Sequence, residues 1–338
     1  MKFVLPTGIG DSVWGLHKVQ AIRDKQDPGG PIEIYLVGAD TGIDSRALDF
    51  VRRFDFVNHS AMKPVAIHAG SMFRPDGTYN YIEDGWYEFD GAGTEKYCVL
   101  IPNAALEHGI RLEDWLPHYE INWNIWRQFK IDYIERVHAQ EVYDQIGPFC
   151  VFYPGPLNGN TRDGHNRNAI WKPQDWVELG RRIHKEFGLH ILVVGAHYDA
   201  SYFDMLLEPE LGHDKSYWTS VIGKTNLGEL WALTSMSRFL ISYQAGVGII
   251  STYLGTPTGI FWRQHGDSIN PHVLLTFNNA MASAWVPPAI LKAGTHLPLY
   301  YGRDSVDSIL NEVRQRKWIQ PSLASTAVLS SPVGSSQG

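Results

Sequence analysis

The chain has 338 residues, 44% of them hydrophobic and 19% charged, with a formal net charge of -7. That is length for two cores and the composition of an ordinary globular protein, and its acidic balance speaks against a nucleic-acid groove as the main surface. No apolar run reaches membrane-spanning length, and the N-terminal run breaks at Pro6 and Gly8, too soon for a signal peptide. The two cysteines, Cys98 and Cys150, have neither metal nor redox spacing, so a reduced cytoplasmic setting is expected.

Lys2 to Leu5 reads as a strand, Pro6 to Asp11 as a glycine-rich turn, and Ser12 to Lys25 as a helix through Val13, Leu16, Val19 and Ile22. Asp11 falls at or just before the helix start. Two uses of it are open: an N-cap, or a carboxylate shown at the C-terminal edge of a parallel sheet. Ile32 to Val37 and Val65 to His68 read as strands, and Ser45 to Phe54 as a helix. From Ser60 to Asn124 the pattern is irregular. Asp76 to Glu120 is acidic and aromatic, which suits either a neutral, polyhydroxyl partner or a plain solvated face. Phe129 to Ile146 reads as a helix leading out of the first half.

A second α/β series starts at Phe149 to Tyr153 and enters a polar loop, Asn158 to Asn168. Trp171 to Phe187 is an amphipathic helix with Trp176, Leu179 and Ile183 on one face. Leu189 to Val194 is a strand ending at Gly195. Tyr202 to Leu207 is a short helix, Ser220 to Gly223 a short strand and Leu227 to Ser235 a helix. Phe239 to Ile241 is a strand, followed by a glycine-punctuated turn at Gln244 to Gly248 and a helix, Ile249 to Leu254. Gly255 and Pro257 stop that helix, and Thr258 to Trp262 is a strand. A strand at Val273 to Phe277 and a helix at Ser305 to Arg316 follow. Pro321 to Gly338 is Ser-rich and aperiodic, expected to be a disordered tail.

These elements predict two doubly wound, Rossmann-like domains, 1–147 and 148–320, facing across a cleft. The glycine turn at 244–248 would let backbone N–H groups reach a phosphate, or would simply be a tight connection; the stretch alone leaves both open. The chain carries 12 Trp and 16 Tyr. Aromatics stack on sugar rings, but they pack cores more often.

The order of these motifs resembles the heptosyltransferase-like glycosyltransferases of family 9. The resemblance is carried by Gly8-Ile9-Gly10-Asp11 after the first strand, Pro154-Gly155, Asn160-Thr161-Arg162-Asp163 and Trp171 to Trp176. Ile191 to Ala196, Leu227 to Leu233 and the stretch ending Leu254-Gly255-Thr256-Pro257 continue it. It covers the first strand-turn-helix and most of Phe149 to Trp262. It implies a GT-B architecture and an inverting transfer from a nucleotide-diphosphate sugar to an acceptor hydroxyl, with no metal and no resident cofactor. It implies Asp11 as general base. Gly8 and Gly10 stand on the acceptor side, where a glycan or other hydroxyl-bearing molecule would dock. On the donor side stand Asn160, Thr161, Arg162, Arg167, Lys172, Gly195 and Glu229, with Gln244, Ala245, Gly246, Val247 and Gly248.

The chain departs from the family pattern in three places. Gln244 stands where an aspartate is usual and Ile249 where a histidine is common. Ile170 takes the phosphate-binding lysine's place, with Arg167 and Lys172 beside it. An epimerase acting on nucleotide sugars and a non-catalytic sugar-nucleotide or glycan binder therefore remain as alternatives. Glu229 would hold a ribose hydroxyl or be an exposed helical glutamate.

Overall fold

In a computed structural model, the structure describes residues 1–6, 9–37, 45–62, 85–88, 96–99, 118, 120–155, 171–243, 245–261, 286–299 and 304–319. The chain divides into two units, Met1–Ile131 with Gly266–Pro287, and Asp132–His265 with Pro288–Gly338. Sequence reading placed the boundary near Gly147, treating the helix that ends there as part of the first half. That helix packs on another helix of the second unit, so the break falls ahead of it, at Asp132.

The first unit is built on strands β1 (Lys2–Pro6), β2 (Glu33–Val37), β3 (His59–Met62), β4 (Gly85–Glu88) and β5 (Lys96–Val99), with helices α1 (Ile9–Gln26) and α2 (Ser45–Arg52). The strand order is β3-β2-β1-β5-β4; all neighbours run parallel except the edge strand β4. The helical period of α1 puts Val13, Leu16, Val19 and Ile22 into the core, as the sequence predicts. Phe50, Phe54 and Phe129 pack edge to face or tilted at 5.3–5.7 Å between ring centroids. Strands β3, β4 and β5 fall at or within Ser60 to Asn124, the irregular stretch read as loops and short strands, whose individual strands were not delimited. The strand expected at Val65 to His68 lies outside the described residues.

The second unit carries α3 (Tyr133–Ile146), β6 (Phe149–Tyr153), α4 (Pro173–Phe187), β7 (His190–Val193) and β8 (Trp218–Ser220). It continues with α5 (Leu227–Met236), β9 (Leu240–Tyr243), α6 (Gly246–Tyr253), β10 (Thr258–Phe261), α7 (Pro288–Ala293), β11 (His296–Leu299) and α8 (Val306–Gln315). Among the described residues its sheet has six parallel strands in the order β11-β10-β9-β6-β7-β8. Read from β8, this is the doubly wound order in which the chain starts at the middle and winds outward twice. Consecutive strands diverge between β6 and β9, and that is the topological switch point. Strands β6 and β9 are buried along their whole length, the continuous apolar runs of a sheet covered on both faces.

Packing sets the spacing of the layers. Trp176, Leu179 and Ile183 of α4 are fully buried, as its periodicity predicts. A Cβ on Gly180 would meet Trp218 Cζ2 at 2.3 Å, so glycine is what lets α4 close on β8. Between β7 and β8 the chain forms consecutive short 3-10, α and π turns over His197–Leu211, and the π turn Phe203–Leu207 lies within the short helix expected at Tyr202 to Leu207. The expected strand at Val273 to Phe277 and the tail 321–338 lie outside the described residues. Among the described residues no helix is long and apolar enough to cross a membrane.

Candidate functional site

In a doubly wound sheet, ligands sit outside the carboxyl ends of the strands at the switch point. Here that places attention on the ends of β6 and β9. Strand β6 ends at Tyr153 and leaves through Pro154 and Gly155, both buried. Strand β9 ends at Tyr243, and α6 begins at Gly246 with Ala245 as its N-cap.

The start of α6 differs from the expected turn. Gly246, Val247 and Gly248 are its first three helical residues, and the first helical hydrogen bond runs from Ile249 N–H to Ala245 C=O. The N–H groups of residues 246–248 therefore find no acceptor within the helix. Alanine at the N-cap has no side-chain oxygen to offer them. Ala245 and Gly246 are partly exposed while the rest of the helix is buried, so only this end of α6 meets solvent. Gly248 is a steric requirement: a Cβ there would lie 2.4 Å from Ser242 Oγ and 3.2 Å from Ile260 Cδ1. Ser242 is fully buried, and its hydroxyl has no hydrogen-bond partner among the described residues. Deeper in the same layer, Ser251 and Thr258 hydroxyls share a hydrogen bond of 2.6 Å, and Thr256 donates to Thr234 C=O.

Lys172 is exposed and stands at the N-cap of α4, whose start lies on the same edge of the sheet. Its backbone N–H donates to Asp175 Oδ2 at 2.8 Å, and Pro173 fills the first helical position. Tyr243, the last residue of β9, donates from its hydroxyl to Trp171 C=O at 3.3 Å, and Trp171 Nε1 donates to Asp304 C=O at 3.0 Å. These bonds pin the start of α4 beside the end of β9, so Lys172 and the α6 terminus belong to one locality.

A third group was not anticipated. Asp199 is buried at the ends of β6 and β7, its Oδ2 accepting the Ala196 N–H at 2.8 Å and both oxygens facing Tyr153 hydroxyl at 3.4–3.5 Å. A Cβ on Gly155 or Gly195 would come within 2.9 or 3.0 Å of this carboxylate. Gly195 is thus a residue that makes room for Asp199. The signal in the sequence was the spacing Ala196 to Asp199, an acidic residue closing a short turn onto the backbone behind it.

The connection after β8 is held to that after β7. Gly223 N–H donates to Gly195 C=O at 3.0 Å, and a Cβ on Gly223, whose φ is +67, would meet His197 Cα at 3.0 Å. This brings the first turn of α5 to the same edge. Glu229 lies there and is not the exposed helical glutamate of the second reading. Its side chain is 15% exposed, Oε2 accepts the Asn226 N–H at 2.9 Å, and Oε1 pairs with His138 Nδ1 at 2.8 Å.

Gly10 and Asp11 are the second and third residues of α1, not the turn before it, so Asp11 is no N-cap; its side chain lies outside the description. Gly8, Asn160, Thr161, Arg162, Arg167 and Gln244 lie outside the described residues. The structure thus brings together Lys172, Gly195, Glu229 and Ala245 to Gly248 on one edge of one sheet.

No protein-family model matches the chain, and no curated protein matches it in sequence. Solved structures do match in fold. The ADP-heptose LPS heptosyltransferase II of E. coli superposes with TM-score 0.59 at 12% identity, covering 94% of this chain and 98% of that one. A glycosyl transferase of family 9 from Veillonella parvula gives TM-score 0.58 at 13% identity over 93% and 96%. The E. coli heptosyltransferase WaaC, solved with ADP, gives TM-score 0.53 at 10% identity over 94% and 100%. Coverage near the full length of both partners means that the two-unit plan, not one unit, is shared. The chain has the GT-B fold of the heptosyltransferase-like family 9 glycosyltransferases.

Proposed function

We propose that the protein is a glycosyltransferase that moves a sugar from a nucleoside-diphosphate sugar to an acceptor hydroxyl with inversion and without a metal. The observation that carries this reading is the N-terminus of α6: three helical N–H groups with an alanine cap, opening at the switch point of a six-stranded parallel sheet. Helix N–H dipoles suit a diphosphate. Two neighbours in fold carry names that specify ADP-heptose or ADP, which agrees with a nucleoside-diphosphate donor.

In this reading the diphosphate lies on Gly246, Val247 and Gly248. Lys172 supplies charge from the start of α4, joined by Thr161, Arg162 and Arg167 from the polar sequence between β6 and α4. Glu229 accepts a ribose hydroxyl. Asp11 takes the acceptor proton as the acceptor oxygen bonds the anomeric carbon and the bond from that carbon to the diphosphate breaks. The electron pair leaves on the diphosphate, whose new charge the N–H groups and cations stabilise. Gly8 and Gly10 leave room for the acceptor near Asp11. The setting is the cytoplasm, where nucleotide sugars would be met.

Calorimetry with a panel of nucleoside diphosphates, with and without chelator, tests the site. One of them binds equally in both buffers; binding that vanishes with chelator overturns the metal-free reading. Product analysis with the corresponding nucleotide sugars then separates the activities. Free nucleotide appearing only with an acceptor supports transfer, an isomerised donor means an epimerase, and binding without any turnover means a binder.

A further inference from the structure

We infer that His138 positions the Glu229 carboxylate for the ribose of the bound nucleotide, which makes helix α3 part of the donor site. This rests on the donor reading above. Three observations carry it. First, His138 and Glu229 come from helices 91 positions apart in sequence and meet at 2.8 Å. Second, Glu229 is held at both oxygens: Oε2 by the Asn226 N–H of its own capping box and Oε1 by His138. The carboxylate is therefore fixed in rotation about its last bond, and what it still offers is the free lone-pair direction on each oxygen. Third, the first turn of α5 is tied through Gly223 and Gly195 to the sheet edge that carries the α6 terminus.

A glutamate that accepts a diol hydroxyl gains little if its carboxylate swings freely, because each bond then has to pay for ordering it. Two donors from protein groups remove that freedom before the nucleotide arrives. A histidine also suits the place electrostatically. The charged groups that face it are Glu229 from α5 and Glu141 on its own helix, and the hydrogen bond to Glu229 holds the imidazole above its ordinary pKa. In its protonated form the imidazole offsets a carboxylate that would otherwise stand near a diphosphate. Sequence reading assigned α3 to the other half of the chain, so this pairing was not visible there.

The test compares ribose recognition rather than overall affinity. From ADP, GDP, UDP and CDP, the one bound most tightly by the wild type is measured beside its 2′-deoxy and 3′-deoxy forms. The wild type should prefer the ribonucleotide by roughly tenfold or more, the scale of one charge-assisted hydrogen bond. Glu229→Ala should bring the ratio close to one. His138→Ala should bring it most of the way down, and His138→Asn, whose side-chain N–H replaces Nδ1–H, should restore it. A simple tie between helices gives a different result: a lower melting temperature for His138→Ala with the ribonucleotide preference intact, and that result overturns the inference. If Glu229→Ala also leaves the preference intact, the ribose reading of Glu229 falls and takes this inference with it. If no diphosphate binds the wild type, the donor reading itself has failed.

Discussion

At Gly248 one methyl group decides whether α6 can rest on β9. The Cβ of an alanine would stand 2.4 Å from Ser242 Oγ, a contact real side chains do not make, so the helix start or the strand must shift. Gly248→Ala should cost about 1–3 kcal/mol, the range for overpacking. It should also weaken nucleotide binding, because the displaced segment is the proposed phosphate cradle. Removing the hydroxyl relieves the clash, so Ser242→Ala combined with Gly248→Ala should recover part of the loss. A double-mutant cycle from denaturant unfolding reads this as a favourable coupling, and additive losses would mean that the helix moves for another reason. Asp11 invites a different kind of test. It stands at the third position of α1, where an acidic side chain favours the helix dipole but is no cap. Asp11→Asn removes its basicity and keeps its size. Turnover should fall by about 10²–10⁴-fold, the range for loss of a general base, with the melting temperature and donor affinity unchanged. A variant with normal turnover would return Asp11 to a structural role.

Among the elements, α4 shows how one small residue fixes a layer. Gly180 faces the six-membered ring of Trp218 with no space for a Cβ, and that indole packs against Phe152 of β6 at 5.8 Å between ring centroids. Gly180→Ala trades better helix propensity for this clash. Propensity gives back only about 1 kcal/mol, and overpacking costs about 1–3 kcal/mol, so the substitution should destabilise the second unit, read as a lower denaturant midpoint. An increase would show that the indole swings away freely. The same elements explain what was legible in the sequence. Strands β6, β7, β9 and β10 are buried apolar runs, and α1 and α4 have clear helical periodicity, so their residues announce them. Strand β11 contains His296 and Pro298, and β3 contains His59 and Ser60; short polar segments like these become strands only because a neighbour is waiting to pair with them. The glycines before Ile249 read as a turn because glycine lowers helix propensity, yet the close approach of Ser242 requires it inside the helix. The strand-glycine-helix segments that form the candidate site's edge were legible from apolar runs and glycine position. Asp199 and His138 were not, since a carboxylate tied to its own turn and a contact between distant helices leave no periodic trace.

For the whole molecule, acid is the stress that reaches both units by the same chemistry. His17 is fully buried in α1, its Nδ1 against Asn122 C=O at 3.0 Å, and desolvation brings its pKa down from 6.5 to about 3. His296, in β11 of the second unit, is 4% exposed and is lowered from 6.5 to about 3, again chiefly by desolvation. Both are neutral in the folded chain at pH values where the unfolded chain already binds protons. Below about pH 6.5 the unfolded state therefore takes up more protons, and stability falls as pH falls until the folded-state values near 3 are reached. Each histidine contributes roughly 1.4 kcal/mol per pH unit in that window. Carboxylates titrate mostly below pH 5, so between pH 6.5 and 5 the histidines should dominate the slope. Urea unfolding across that interval should show a loss in each unit. In His17→Gln the acid-dependent loss of the first unit should flatten, and in His296→Gln that of the second, although each variant starts from lower stability because a buried ring is gone. Equal slopes in wild type and variants would mean that these imidazoles are protonated within the fold. The two substitutions should also act independently, since each ring is buried within its own unit, and the double variant should lose both rings' contributions at once, leaving in the second unit that of half-buried His190, whose pKa burial also lowers.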